Sequence, residues 1–151
     1  MSDNFLIIVP QDPKYLPTLE IQQLVSGMVG SLVPDADEIS IDASEHVMFF
    51  DAGVNFESIN CPHCRSEIDM EWWSDQMEKD FDGQGFKLEP CALPCCGSSA
   101  ALNQLTYDWP QAFGKFSCTI GNPKVSGFSE SEIESLTRAI GTPILIVRRH
   151  L

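Results

Sequence analysis

The first fifty residues carry apolar patterns that change from strand-like to helix-like and back. Residues 5–9 form an apolar run ended by Pro10, which is typical of a short buried strand. Thr18 can cap a following helix, because apolar residues then recur at helical spacing at Ile21, Leu24, Val25, Met28 and Leu32. Residues 38–42 alternate strictly and residues 47–50 are continuously apolar, so two further strands are predicted.

The last forty residues show a second strand–helix–strand pattern. Residues 113–120 have the composition of a strand, and 144–147 form another apolar run at the end of the chain. Between them, Ser129 and Glu132 form a capping box ahead of an apolar stripe at Ile133, Leu136 and Ile140. Gly141 then gives a typical helix exit.

The middle of the chain predicts an insertion between these two halves. Ser66 and Asp69 suggest the start of a short helix with Met70, Trp73, Met77 and Phe81 on one face. No internal repeat is visible. Without the insertion, the element order is that of an α+β, ferredoxin-like split βαβ sandwich. We therefore expect one α+β domain over residues 1–151, with an inserted zinc-ribbon-like, zinc-binding module at 56–100.

The acidic charge of the chain is concentrated in this middle region. The net charge is −13, and residues 35–89 hold fifteen acidic side chains against three basic ones. The negative electrostatic field of this region favours binding to a basic protein partner. Binding to nucleic acid is disfavoured, because no stripe of lysine or arginine is present to contact phosphates. The apolar run at 5–9 is too short for a membrane span or a signal peptide. We therefore expect a cytoplasmic protein that binds neither nucleic acid nor membrane.

Five of the six cysteines lie in two tight groups, which is the clearest chemical signal in the sequence. Cys61 and Cys64 form a Cys-x-x-Cys pair, and a second group holds Cys91, Cys95 and Cys96. In a reducing cytoplasm such groups indicate a structural Zn²⁺ site rather than disulfides. Spacing alone does not choose two ligands from the second group. Cys118 falls within a strand pattern and is expected to be buried.

A longer string of residues around these cysteines resembles a family of uncharacterised small bacterial proteins. Their pattern approximates CPxC…PCCG…LNxLxYxWPxxF, and this chain matches it at 61–64, 94–97 and 102–113. In that pattern the adjacent cysteine pair recurs and a cysteine at position 91 does not. The resemblance therefore implies Cys61, Cys64, Cys95 and Cys96 as the metal ligands, with Cys91 as the substitute.

Aromatic residues near the insertion can serve either packing or recognition. Tyr107, Trp109, Phe113 and Phe116 are expected to join the module to the sandwich, although a recognition surface is the alternative. Trp72 and Trp73 are adjacent on one helix, so we expect one of them to be exposed.

No catalytic constellation is recognisable, so we expect a protein that is not an enzyme. None of the three histidines accompanies a nucleophile and a carboxylate, and no glycine-rich phosphate loop is present. The leading hypothesis is an acidic immunity or inhibitor protein that neutralises a basic partner such as a bacterial toxin. Its partner-binding residues would be Asp69, Glu71, Trp72, Asp75 and Glu78. The alternatives are a small zinc-dependent hydrolase, and a scaffold or regulatory subunit with a structural zinc.

Overall fold

The computed structural model describes residues 3–151 as a mixed α/β protein with three α-helices and an antiparallel sheet. The longer strands are β1 (Asn4–Pro10), β2 (Glu38–Phe50), β7 (Ala112–Gly121) and β8 (Ile144–His150). The short ones are β3 (Ile59–Asn60), β4 (Cys91–Ala92), β5 (Ser99–Ala100) and β6 (Thr106–Tyr107). The helices are α1 (Leu19–Leu32), α2 (Met70–Asp80) and α3 (Glu130–Ile140). Within residues 3–151, no helix has the length and hydropathy that crossing a bilayer requires.

The four long strands form a single sheet in the order β2-β7-β1-β8, and every neighbouring pair is antiparallel. The register pairs Ile7 of β1 with Thr119 on one side and with Val147 on the other. The first and last strands of the chain therefore lie side by side. The start of β1 and the end of β8 meet at one end of the sheet.

Local capping fixes the ends of two helices as the sequence predicts. The Thr18 hydroxyl accepts a hydrogen bond from the N–H of Ile21 at 3.3 Å, which begins α1. Ser129 and Glu132 each accept a hydrogen bond from the other's backbone N–H, at 3.2 and 2.7 Å, and so form the predicted capping box of α3. Gly141 ends α3 in the left-handed region, with φ of 94°.

Helices α1 and α3 cover one face of the sheet and enclose the main hydrophobic core. Its buried members come from both helices and from β1, β7 and β8, and include Val25, Val29, Phe116, Leu136 and Ile140. Cys118 lies in this core, as expected, and its burial raises the pKa of its thiol to about 12. Burying this continuous apolar surface is the main source of stability for the sheet.

Residues 51–111 lie between β2 and β7 and build a second core against the end of the sheet. Phe49 and Phe113 contribute to it from the sheet, with ring centroids 4.9 Å apart. Trp73 of α2 packs on Phe49 and donates a hydrogen bond to the hydroxyl of Tyr107 at 3.1 Å. The segment that carries the cysteines is thus anchored to the sheet by aromatic contacts.

Two predicted element boundaries in the middle of the chain differ from the structure. The strands expected at 38–42 and 47–50 are one strand, β2, whose pairing with β7 is irregular between Ala43 and Met48. Helix α2 begins at Met70, and Asp69 at its N-cap makes no side-chain capping bond. The residues before Met70 pair with β3 and so cannot join the helix, because the Ile68 N–H donates a hydrogen bond to the Ile59 carbonyl at 2.8 Å.

Candidate metal centre

The first pair of cysteines lies in a tight turn that follows β3. The Cys61 N–H bonds to the Ser66 carbonyl at 2.9 Å, and the Arg65 N–H returns to the Cys61 carbonyl at 3.0 Å. Arg65 adopts a positive φ of 65°, which closes the turn. The N–H groups of His63 and Cys64 point at the Cys61 sulfur, at 3.3 and 3.4 Å. Hydrogen bonds of this kind stabilise a negatively charged sulfur, as a metal ligand requires.

The second group of cysteines lies in a turn with the same backbone hydrogen bonds. The Leu93 N–H bonds to the Ser98 carbonyl at 2.9 Å, the Gly97 N–H returns to the Leu93 carbonyl at 2.9 Å, and Gly97 has φ of 73°. The two turns are therefore equivalent position by position, with the sequences CPHCRS (61–66) and LPCCGS (93–98). This equivalence is confined to the six residues of each turn.

The equivalence of the turns explains the unusual adjacent pair of cysteines. Leu93 stands where the first turn has Cys61, and both are buried, with 2% and 1% of their surface exposed. Cys95 stands where the first turn has His63, and Cys96 matches Cys64. The second turn thus presents its two thiols from its third and fourth positions, rather than from its first and fourth.

The two turns bring four thiols together in a geometry suited to a metal ion. The sulfur atoms of Cys61, Cys64, Cys95 and Cys96 all lie within 4.8 Å of one another. The sulfurs of Cys61 and Cys96 are 3.8 Å apart. A tetrahedral ion with metal–sulfur bonds of about 2.3 Å needs sulfurs separated by about 3.8 Å. These four cysteines could therefore hold a metal ion after small adjustments.

The electrostatics of the cluster favour thiolates at two equivalent positions. Hydrogen bonds from the side chain and backbone of Ser66 lower the pKa of Cys64 to about 6. The corresponding bonds from Ser98 lower the pKa of Cys96. Desolvation, together with a hydrogen bond shared with Cys64, raises the pKa of Cys95 to about 12. Without a cation the four thiols cannot all ionise side by side, whereas a bound metal would deprotonate them.

Cys91 and His63 lie near the cluster but outside it. Cys91 is in β4, where its sulfur is directed at the Ala100 carbonyl at 3.4 Å, and desolvation and the charge of Asp80 raise its pKa. Of the residues that the structure describes, the metal-suited group holds no sulfur from Cys91. The His63 ring nitrogen Nε2 lies 3.2 Å from the Ser99 carbonyl, which links the first turn to the hairpin of the second. His63 thus positions the turns relative to each other.

Sequence reasoning missed the roles of Ser66 and Ser98. Both follow a clustered cysteine by two residues, so the repeated Cys-x-Ser spacing was the signal that could have found them. Hydrogen bonding by the side chain and backbone of each serine lowers the pKa of the cysteine two residues before it. Such supporting hydrogen bonds orient the ligands of a metal and adjust their charge.

The residues proposed for partner binding lie on or next to α2. Asp69, Glu71, Asp75 and Glu78 are exposed, and the last three recur at helical spacing on the outer surface of α2. No carboxylate of α2 forms an ion pair within residues 3–151. Asp80 differs from them, because it accepts hydrogen bonds from the backbone N–H groups of Leu88 and Glu89 at 2.8 and 3.0 Å.

The aromatic residues divide between packing and exposure differently from the prediction. Trp72 and Trp73 are both half-buried against the second core, so the expectation that one of them is exposed is wrong. Tyr107 and Phe113 do join the module to the sheet, whereas Phe116 belongs to the main core.

Trp109 is the exception among these aromatic residues, with 41% of its surface exposed. Its side chain borders a cleft at the end of the sheet where β1 begins and β8 ends.

Comparison with protein-family models, with curated proteins and with solved structures gives no match. The function is therefore argued from the geometry of the chain itself.

Proposed function

We propose that the protein is a non-enzymatic, zinc-binding interaction protein whose acidic surface binds a basic protein partner. The observation that carries the proposal is the row of exposed carboxylates Glu71, Asp75 and Glu78 on α2, unpaired within residues 3–151. Carboxylates without internal partners keep their full attraction for a cationic surface. Asp69 and the half-exposed edge of Trp72 extend the same surface.

The proposed metal is a structural Zn²⁺ held by Cys61, Cys64, Cys95 and Cys96. Four thiolates at tetrahedral spacing are the typical ligand set of a structural zinc, and four sulfur ligands leave no open position for a substrate or a water. This ligand count argues for a binding role over the alternative of a zinc-dependent hydrolase. An X-ray absorption spectrum of the metal-loaded protein tests the choice, because a hydrolase site would show fewer than four sulfurs and an oxygen ligand.

We further propose that the sheet and helices form a ferredoxin-like split βαβ sandwich into which a zinc-ribbon-like module is inserted. The strand order β2-β7-β1-β8, with two helices on one face, supports this interpretation. The two cysteine turns of the insertion support the ribbon-like description. Membership of the small bacterial family with the CPxC…PCCG pattern belongs to the same proposal.

The most specific form of the proposal is an immunity or inhibitor protein that neutralises a basic toxin in the cytoplasm of the producing cell. A toxin that acts on nucleic acid needs a cationic groove, and an acidic helix is complementary in charge to such a groove. The net charge of −13 would also speed the encounter between the two proteins. A scaffold or regulatory subunit with a structural zinc would need no basic partner, so the nature of the partner separates the two.

Co-purification from the native host, read by mass spectrometry, tests this proposal. We expect a basic protein to be recovered with the wild-type chain and to be lost from the triple variant Glu71→Gln, Asp75→Asn, Glu78→Gln. The matched control neutralises three exposed carboxylates away from α2, at Glu20, Asp35 and Glu134, and should still recover the partner. Recovery of no basic protein, or equal loss from both variants, would contradict the assignment of α2 as the binding surface.

A further inference from the structure

A cleft of about 640 Å³ at the end of the sheet combines positive charge with exposed apolar surface. It lies where the start of β1, the end of β8 and the loop between β7 and α3 meet. Its lining includes Lys124, Arg148 and Arg149 and contains no aspartate or glutamate. Three carboxylates border the cleft from outside its lining, since Asp51 pairs with Arg149, Asp37 pairs with Lys124 and Asp3 accepts a hydrogen bond from Asn122. Its volume falls in the range of small-molecule sites, about 300–1,000 Å³.

Arg148 is the cation in this cleft that is available to a ligand. Arg149 is bound to Asp51 at 3.2 Å, and Lys124 contacts Asp37 at 3.5 Å. Arg148 has no ion-pair partner within residues 3–151. Its Nε donates to the Ser126 carbonyl at 3.4 Å, which leaves the two terminal nitrogens of the guanidinium for other contacts.

The position of the Arg148 side chain is set by its surroundings. The Asn55 amide donates to the Arg148 carbonyl at 3.0 Å, which fixes the backbone at the edge of β8. A Cβ atom at Gly127 would come within 2.7 Å of the Arg148 Nη2 atom. The guanidinium therefore lies over a residue that has no side chain. A guanidinium held in this way loses less freedom on binding an anion.

Trp109 supplies an exposed aromatic ring beside these cations. Its backbone is in the left-handed region, with φ of 64°, which is unfavourable for a large side chain. The neighbouring residues impose this conformation, because the Asp108 N–H bonds to the Ser58 carbonyl and the buried Gln111 accepts from the Ala52 N–H, both at 2.9 Å. Val125, also exposed, lines the same cleft. The backbone of Trp109 is therefore strained, and its exposed indole borders the cleft instead of packing into the core.

We propose that this cleft binds a small organic anion carried on a planar ring, specifically a nucleoside monophosphate. The free guanidinium of Arg148 suits the phosphate, because two of its N–H groups can bond two oxygens of one anion. The indole of Trp109 suits the base, since aromatic rings stack on nucleobases whatever their identity. The acidic face of α2 contributes no residue to the cleft, so this inference is independent of the proposed partner.

Titration of the ¹⁵N-labelled, metal-loaded protein with AMP, followed by NMR, tests the inference. We expect saturable shifts at the Trp109 indole N–H and at the backbone amides of 124–127 and 148–150. Adenosine and inorganic phosphate, used as separate probes, should each bind at least tenfold more weakly than AMP. If inorganic phosphate bound as tightly as AMP, the ring would contribute nothing to binding. If adenosine bound as tightly as AMP, the phosphate would contribute nothing. Either result overturns the proposal. So does the absence of saturable shifts with AMP.

Two variants assign the binding to the named side chains. Arg148→Gln should weaken AMP binding at least tenfold, whereas Arg138→Gln, an exposed arginine on α3, should leave it unchanged. Trp109→Gly removes the ring at a position where glycine relieves the backbone strain, so this variant should fold and should also bind at least fivefold more weakly. AMP binding unchanged in Arg148→Gln, or weakened equally in Arg138→Gln, would contradict the assignment.

Discussion

Each cysteine turn ends with a residue of positive φ followed by a serine, but the two turns carry their thiols at different positions. In the first turn the clustered thiols are at the first and fourth positions, and in the second they are at the third and fourth. Spacing alone made Cys91 with Cys95 or Cys96 a conventional pair. Cys91 precedes the second turn, however, and its place in β4 directs its sulfur to the Ala100 carbonyl. The four cysteines that the structure brings together are those expected from the CPxC…PCCG pattern, whereas spacing alone left the choice open.

Serine substitutions at Cys95 and Cys91 should separate a metal ligand from its neighbour. We expect Cys95→Ser to lower the affinity for zinc by at least about 100-fold, because one of four sulfur donors is lost. Cys91→Ser should keep about one equivalent of zinc. Elemental analysis of the purified proteins, with competition by a chromophoric chelator, measures both. Equal zinc affinity in the two variants would contradict the ligand set.

Glycine substitutions test how closely the module packs on the sheet. A Cβ at Gly85 would lie 2.8 Å from the His46 Cβ and 2.9 Å from the Val47 carbonyl oxygen, where the turn after α2 packs on β2. Gly85→Ala should therefore lower the free energy of unfolding by about 1–3 kcal/mol, since backbone atoms must move.

Gly27 provides the matched control on α1. A Cβ there has nothing within 4 Å, so Gly27→Ala should raise the free energy of unfolding by about 0.5–1 kcal/mol. Urea denaturation of both variants, monitored by circular dichroism, provides the comparison. A neutral Gly85→Ala would show that the turn is free to move away from β2.

At the scale of elements, the sequence correctly predicted the helix ends that depend on a few neighbouring residues. The caps at Thr18 and Ser129 and the exit at Gly141 depend on residues within one helical turn, and the structure confirms them. The short strands β3–β6 could not be predicted, because two residues carry no periodicity. The start of α2 was misplaced because the preceding residues are held by pairing with β3, which overrides a local capping pattern.

Removal of the α3 cap should cost a predictable amount of stability. Ser129→Ala removes the hydroxyl oxygen that accepts a hydrogen bond from the Glu132 N–H and should lower the free energy of unfolding by about 1 kcal/mol. Ser135→Ala, at an exposed site within α3, should be neutral or slightly stabilising, because alanine favours helix. Thermal denaturation of both variants measures the difference. A loss of equal size in both would indicate a cause other than capping.

At the scale of the whole molecule, the main core and the second core are enclosed by different elements. The main core is enclosed by two helices and the sheet, and none of its members comes from residues 51–111. The second core consists mostly of residues from that segment, whose strands are two residues long. We infer that the segment depends on the metal for its order more than the sheet does.

Metal removal should therefore affect the two regions unequally. After chelation, we expect amide hydrogen exchange to rise at least tenfold in β3, β4, β5 and both cysteine turns. Exchange at Leu6, Ile8, Phe116, Cys118 and Ile120 of β1 and β7 should stay within about twofold of the metal-loaded protein, because the side chains of these residues belong to the main core. Hydrogen exchange with mass spectrometry gives both values. A uniform rise across the chain would show instead that the metal supports the entire fold.

The cleft at the end of the sheet could not be predicted from the sequence. Its lining comes from segments near residues 5, 55, 109, 124 and 149, which the sheet order brings together. Trp109 was expected to join the module to the sandwich, and the arginines at 148 and 149 directly follow the last apolar run of the chain. No local pattern could have joined residues so distant in the chain, whereas the fold places Trp109 and Arg148 in the lining of one cleft.

The unequal exposure of the four clustered thiols has a consequence for how an ion would leave. Cys61 is buried, whereas Cys64, Cys95 and Cys96 face solvent. An incoming chelator or acceptor protein would meet the three exposed thiols first and would reach the Cys61 sulfur last. An ion held by all four thiols would thus keep its contact with Cys61 until the end of the transfer.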